Sequence, residues 1–247
     1  MSRVQTAVVR ALTSLGAEAA RIVLHSSCVA CGGELPWHAR TASCCDSCWR
    51  LLPRLASPKC RSCALPVSGA DGVFLCVDCA RDPLPLEWCD AWGAYRGSLE
   101  RVLHALKFAR HDFLADPLAA LLHDTLIERG DVEFDAIVPV PMHRSKLRRR
   151  GYNQAELIAR ALAKRLGIRC ELLLEKRVER GAQSKLARDG RRANVRGAFI
   201  ASRRAKDRRI LIIDDVCTTG ETLRACADAL VRESAAKLCA IAVAKAT

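Results

Sequence analysis

From residue 99 onward, apolar positions follow two alternating rhythms. Residues 99–108, 118–129, 155–166 and 222–232 repeat them at three- and four-residue spacing, which predicts helices with one buried stripe. Between these lie short, nearly continuous apolar runs at 134–140, 168–174, 209–213 and 238–244, which predict strands buried on both faces. Strands separated by helices specify an α/β fold: a parallel sheet flanked by helices. Such sheets bind ligands beyond the carboxyl ends of their strands.

The rhythm is different before residue 90. Val4, Val8, Ala11, Leu12, Leu15, Ala19, Ile22 and Val23 fit one helix within residues 1–27, suited to packing on a domain or partner. Cysteines then take over. Of fourteen, ten precede residue 90, and eight form the pairs Cys28/Cys31, Cys45/Cys48, Cys60/Cys63 and Cys76/Cys79, with 13, 11 and 12 residues between pairs. Two residues between thiolates let a tight turn aim both sulfurs at one tetrahedral ion, and two such knuckles complete a closed structural site. The pattern predicts a small double zinc ribbon over 28–82 with two structural Zn2+ ions, whose binding supplies folding free energy that so few large apolar residues cannot. Pairing in sequence order is the simplest arrangement; an interleaved pairing and a substitution of Cys44 for Cys45 stay open. The proline-containing stretch 82–85 separates this module from the α/β domain expected over 90–247.

Charge sharpens the picture of partners. The chain carries a formal +13, and residues 144–209 alone hold 22 Lys and Arg against 6 Asp and Glu. Eight thiolates around two zinc ions would bring the total to roughly +9, still basic. That balance favours a polyanion or a phosphorylated small molecule. No apolar run reaches the roughly 18–20 residues of a membrane span and no secretory pattern is evident, so the expected location is cytoplasmic, where cysteine pairs serve as metal ligands.

The densest chemistry lies at 210–222. An apolar run, Ile210-Leu211-Ile212-Ile213, ends in Asp214-Asp215, then Val216-Cys217-Thr218-Thr219-Gly220-Glu221-Thr222 leads into a helical pattern. A small-residue turn at a helix N-terminus offers N–H groups, hydroxyls and the helix dipole to a phosphate. Carboxylates suit sugar hydroxyls or a magnesium ion and its waters. The ordered set resembles the motif by which type I phosphoribosyltransferases bind phosphoribosyl diphosphate (PRPP). Residues 137–159, with 176–199 (Gln183, Arg192, Asn194 and the closing Gly197-Ala198-Phe199), resemble the ComF family of phosphoribosyltransferase-like proteins, which also carry an N-terminal zinc module.

The resemblance implies the following roles. Asp214 and Asp215 contact the ribose hydroxyls and are the catalytic pair; Val216 to Thr222 form the PRPP loop, its threonines and Gly220 on the 5′-phosphate. Pro141, Met142, His143 and Arg144 flank the pyrophosphate, and Arg150 lies on a basic segment able to close over it. Lys107 is a further residue within reach of the ligand, and Gly151, Asn153 and Gln154 open the next helix. Mg2+ would accompany PRPP. The family's association with competence and DNA uptake adds single-stranded DNA, a competence helicase and DNA-processing proteins as expected partners. The family's chemistry is phosphoribosyl transfer with pyrophosphate release; a non-catalytic DNA-binding or regulatory role is the alternative. Thr218 stands where several purine-using relatives place an Asp, so the acceptor is unassigned.

Overall fold

The computed structural model describes residues 27–35, 43–68, 74–108, 111–177 and 197–246. The helix expected within 1–27, and Gln183, Arg192 and Asn194, lie outside them. Along the chain come α1 (Asp46–Arg50), α2 (Val77–Arg81), β1 (Trp88–Ala94), α3 (Gly97–Phe108), α4 (Ala115–Arg129), β2 (Ala136–Pro139), α5 (Arg144–Arg150), α6 (Gln154–Leu166), β3 (Leu174–Lys176), β4 (Phe199–Ala201), β5 (Arg209–Cys217), α7 (Glu221–Arg232) and β6 (Lys237–Lys245).

Four strands form one parallel sheet in the order β1-β6-β5-β2. Side chains alternate across it. Leu211 and Ile213 of β5, with Cys239, Ile241 and Val243 of β6, pack against Leu99, Leu103, Leu106, Leu118, Leu122, Ile158 and Leu162 of α3, α4 and α6. Ile210 and Ile212, with Ala240 and Ala242, face Leu223, Cys226, Ala227 and Leu230 of α7, and the antiparallel pair β3–β4 closes the same side. Both faces are covered, and that is why the central strands are apolar along their middles and carry charged residues only toward their ends.

Two elements depart from the sequence reading. The strand expected at 168–174 is reduced to a single bridge between Cys170 and Ile137, after which Leu172 turns outward, 59% exposed. The arginine-rich neighbourhood explains this: Glu171 is drawn into ion pairs with Arg204 and Arg208, and the chain leaves the sheet to form β3. Conversely, β1 was not anticipated, because Trp-Cys-Asp-Ala-Trp-Gly-Ala lacks an aliphatic run. It begins at Trp88, two residues before the expected start of the domain.

The cysteine module is built twice on one plan. Cys28 and Cys60 each open a hairpin knuckle whose turn residue has positive φ, Gly32 at 76° and Ala64 at 61°. Their carbonyls accept the N–H groups of Gly32 and Ala64. The second knuckle of each unit begins at a helix start, Cys45 before α1 and Cys76 before α2. The module shares the main core: Cys28, Ala30 and Leu52 pack with the α3 and α4 leucines. Backbone bonds reinforce the seam, Leu55 N–H to Trp92 O at 3.0 Å and Ala94 N–H to Pro53 O at 2.9 Å. This close approach needs Gly93, where a Cβ would lie 2.8 Å from the Pro53 oxygen.

Candidate functional site

The central strand β5 runs further than its aliphatic residues indicated, through the two acids to Cys217. Asp214 and Asp215 therefore sit on a paired strand at the carboxyl end of the sheet, 9% and 4% exposed. Beyond Cys217 the chain bends through exposed Thr218 and Thr219 to Gly220, which precedes α7 with φ +83°. A left-handed residue there lets the loop reverse into the helix, leaving the first N–H groups of α7 around the bend. The carboxylates, the two exposed threonines and a helix N-terminus thus converge within nine residues, 214–222.

Three of the four carboxylate oxygens have a defined neighbour. Asp214 Oδ1 accepts the Asp215 N–H at 2.9 Å. Asp215 Oδ1 accepts from Gln154 Nε2 at 3.2 Å. The Lys107 ammonium lies 2.6 Å from Asp215 Oδ2, a charge contact that leaves this buried oxygen without a directed hydrogen bond. Burial first, and the neighbouring Asp215 charge second, push the Asp214 carboxyl well above the usual carboxylate range.

The expected pyrophosphate turn follows β2. Val140 N–H donates to Ile213 O at 2.9 Å, so Pro141, Met142 and His143 leave the sheet beside Asp214. His143 caps α5: its Nδ1 accepts the Ser145 N–H and lies 2.9 Å from the Ser145 hydroxyl. Arg144 is exposed and pairs with Glu175 at 2.9 Å. Arg150 lies closer to the acids, donating to Gln154 Oε1 at 2.7 Å with its guanidinium 4.7 Å from the Phe108 ring centre. Asn153 caps α6 and donates to Val140 O at 2.9 Å, which ties the basic helix to the turn. The chain Lys107–Asp215–Gln154–Arg150 thus joins α3, β5, α6 and α5.

Lys245 escaped the sequence reading. It ends β6, is 3% exposed, and its ammonium donates to the Thr218 carbonyl beneath the loop. Its Nζ also lies 3.9 Å from Cys217 Sγ. A hydrogen bond from Cys89, opposed by burial and aided by the Lys245 charge, brings the Cys217 thiol down to about 7. A lysine directly after the apolar run 238–244 was the sequence signal for it.

Whether the acids could hold a divalent ion is decided by their neighbours. Magnesium needs open oxygen ligands, yet both Asp215 oxygens face protein donors and one Asp214 oxygen is taken by backbone. As arranged, the pair does not fit a protein-held magnesium ion. The cysteine quartets do fit a metal. Cys28/Cys31/Cys45/Cys48 and Cys60/Cys63/Cys76/Cys79 each bring four sulfurs within 4.8 Å of one another, in sequence order. Tetrahedral zinc with bonds of ~2.3 Å spaces its sulfurs about 3.8 Å apart. Burial alone would raise the Cys28 thiol, but N–H groups of Cys45, Cys31 and Ala30 bring it down to about 6, favouring the ligating thiolate. Cys44 stands outside the quartet; burial and the nearby Cys28 sulfur push its thiol up to about 12.

Residues 152–246 match the phosphoribosyl transferase domain family. The chain is 32% identical over 197 residues to the DNA utilization protein YhgH of Salmonella typhimurium, covering 78% of this chain and 86% of the relative. It is 28% identical over 207 residues to competence protein F of Haemophilus influenzae, covering 79% and 86%. Among solved structures, a glutamine PRPP amidotransferase from B. subtilis, complexed with ADP and GMP, aligns with TM-score 0.37 and 23% identity. That alignment spans 52% of this chain and 26% of the longer protein. No helix among the described residues is long and apolar enough to cross a membrane.

Proposed function

Because the chain belongs to the ComF family and carries a phosphoribosyl transferase domain, we propose that it binds PRPP, or a closely related phosphoribosyl ligand, at the end of β5. The observation carrying this reading is the buried Asp214–Asp215 pair at the carboxyl end of a central parallel strand, joined by one short bend to the α7 N-terminus. In this assignment the acids receive the ribose hydroxyls. The hydroxyls of Thr218, Thr219 and Thr222 and the first N–H groups of α7 surround the 5′-phosphate, where the helix dipole favours negative charge. Lys245, holding the Thr218 carbonyl from below, fixes the loop and adds a buried positive charge beneath it. The turn at Met142, His143 and Arg144, with Arg150, flanks the diphosphate.

Transfer of the phosphoribosyl group is the reaction this site would serve. The bond from the anomeric carbon to the diphosphate breaks, pyrophosphate leaves with the electron pair, and a nucleophile bonds to the carbon. Arg150 and the other arginines of α5 would stabilise the leaving charge. Thr218 supplies no carboxylate to an acceptor, so the nucleophile is unassigned. The two cysteine quartets hold structural zinc in this reading, and the chain acts in DNA uptake or use, as the names of its relatives indicate.

Calorimetric titration of the zinc-loaded protein with PRPP tests the proposal. Binding to wild type and its loss in Asp214→Ala/Asp215→Ala is the expected result; identical traces for both would refute it. A second reading, non-catalytic binding of single-stranded DNA, rests on the 22 Lys and Arg in residues 144–209. It requires affinity that falls steeply with salt, and no binding to oligonucleotides at about 50 mM salt would remove it.

A further inference from the structure

We propose that Lys107 is a built-in counter-ion of the ribose acids, filling with an ammonium the position at Asp215 that a divalent cation would otherwise occupy. The inference rests on the PRPP-site reading above and specifies how that site handles its cation. Lys107 stands in the last turn of α3, and its ammonium lies 2.6 Å from Asp215 Oδ2, with the two side chains 19% and 6% exposed. Gln154 holds the other oxygen of the same carboxylate at 3.2 Å. Asp215 is thereby clamped from α3 and from α6, and its Oδ2 has charge compensation without a directed hydrogen bond. Tyr95 supports the lysine from behind, its ring centre 5.8 Å from Nζ.

A divalent ion approaching this carboxylate must first displace the ammonium and leave it uncompensated in a poorly solvated position, which is unfavourable. The free protein therefore excludes the ion from its acid pair. Any magnesium in the bound state belongs to the diphosphate of the incoming ligand, and the displaced ammonium is then available to that diphosphate. Lys107 is thus a positioning residue that couples cation entry to ligand entry.

The test uses the full, zinc-loaded chain titrated with Mn2+ alone, read by electron paramagnetic resonance of the free ion. Wild type and Lys107→Arg should show no discrete Mn2+ site. Lys107→Met should gain one, at least about tenfold tighter than any residual binding to wild type, as expected when a competing positive charge is removed from beside a carboxylate. Adding Asp215→Asn to Lys107→Met should abolish it. Lys107→Gln serves the same purpose if the methionine variant does not fold. Equal Mn2+ binding in wild type and the neutral variants, including none in either, overturns the proposal. PRPP titration of the same samples reports separately on the ligand: absent PRPP binding defeats the ligand reading, whereas unchanged Mn2+ behaviour defeats only the counter-ion.

Discussion

Gly93→Ala should destabilise the whole chain, because it strikes where the cysteine module meets the first strand. An alanine Cβ would lie 2.5 Å from Leu99 Cδ2 and 2.8 Å from the Pro53 oxygen. Neither neighbour yields cheaply. Leu99 is 0% exposed, locked among the α3 and α4 leucines. Pro53 O already accepts the Ala94 N–H at 2.9 Å, and Arg54 bridges to Gly93 itself. Overpacking of this kind costs about 1–3 kcal/mol, and loosening the Pro53 bond adds about 1 kcal/mol. For a chain of this size, ~2–4 kcal/mol lowers the thermal midpoint by roughly 4–16 °C. Thermal unfolding of zinc-loaded wild type and variant, followed by circular dichroism, measures it. A double-mutant cycle with Leu99→Ala apportions the strain: if the leucine is the main obstacle, Gly93→Ala costs less once Leu99 is shortened. An unchanged midpoint would refute the reasoning.

Three further outcomes are expected. Gly220→Ala places a side chain at φ +83° and 3.1 Å from Leu84 Cδ1, so it should cost about 1–2 kcal/mol and weaken PRPP binding more than it lowers stability; calorimetry beside thermal unfolding checks both effects. Stripping metal with a chelator should lower the unfolding midpoint of the entire chain, because Cys28, Ala30 and Leu52 belong to the core that α3 and α4 build; a module that unfolds while the sheet signal persists would contradict this. Glu171, hydrogen-bonded by Arg208, is held below its ordinary value near 4.5. A lowered folded value means that its stabilisation is present above 4.5 and lost as pH falls through the folded value. The advantage of wild type over Glu171→Gln should therefore shrink on acidification, as denaturant titrations at successive pH values will show.

Much of the architecture was legible in the residues. The strand, acids, threonine turn and helix at 210–222 follow one another in a set order, and four CxxC pairs leave few alternatives to two metal sites. What stayed hidden depended on contacts distant in sequence. β1 is buried by α3, α4 and the cysteine module, so it tolerates Asp90, neutralised by Lys59 and Arg129, and Gly93 without an aliphatic run. The isolated bridge at Cys170 looked like a strand because its apolar residues are genuine, yet ion pairs of Glu171 decide the path. In-order pairing of the quartets, open in sequence, is fixed by the hairpin-and-helix plan that each unit repeats. Lys107 stood out only as a lysine near a family-like stretch; its contact spans 108 residues, from Lys107 to Asp215, and no local pattern encodes it.

The seam at Arg54 and Gly93 has another consequence. A four-stranded parallel sheet ends in two strands with unpaired backbone groups, which invite another strand to add on. Here the cysteine module lays one residue against β1 through Arg54, and the 170 segment lays one against β2 through the bridge at Ile137. Both borders are therefore occupied by the chain itself. The cysteine module is thus also an edge guard, and a fragment begun at residue 90 would expose the β1 border that the whole molecule keeps from self-association.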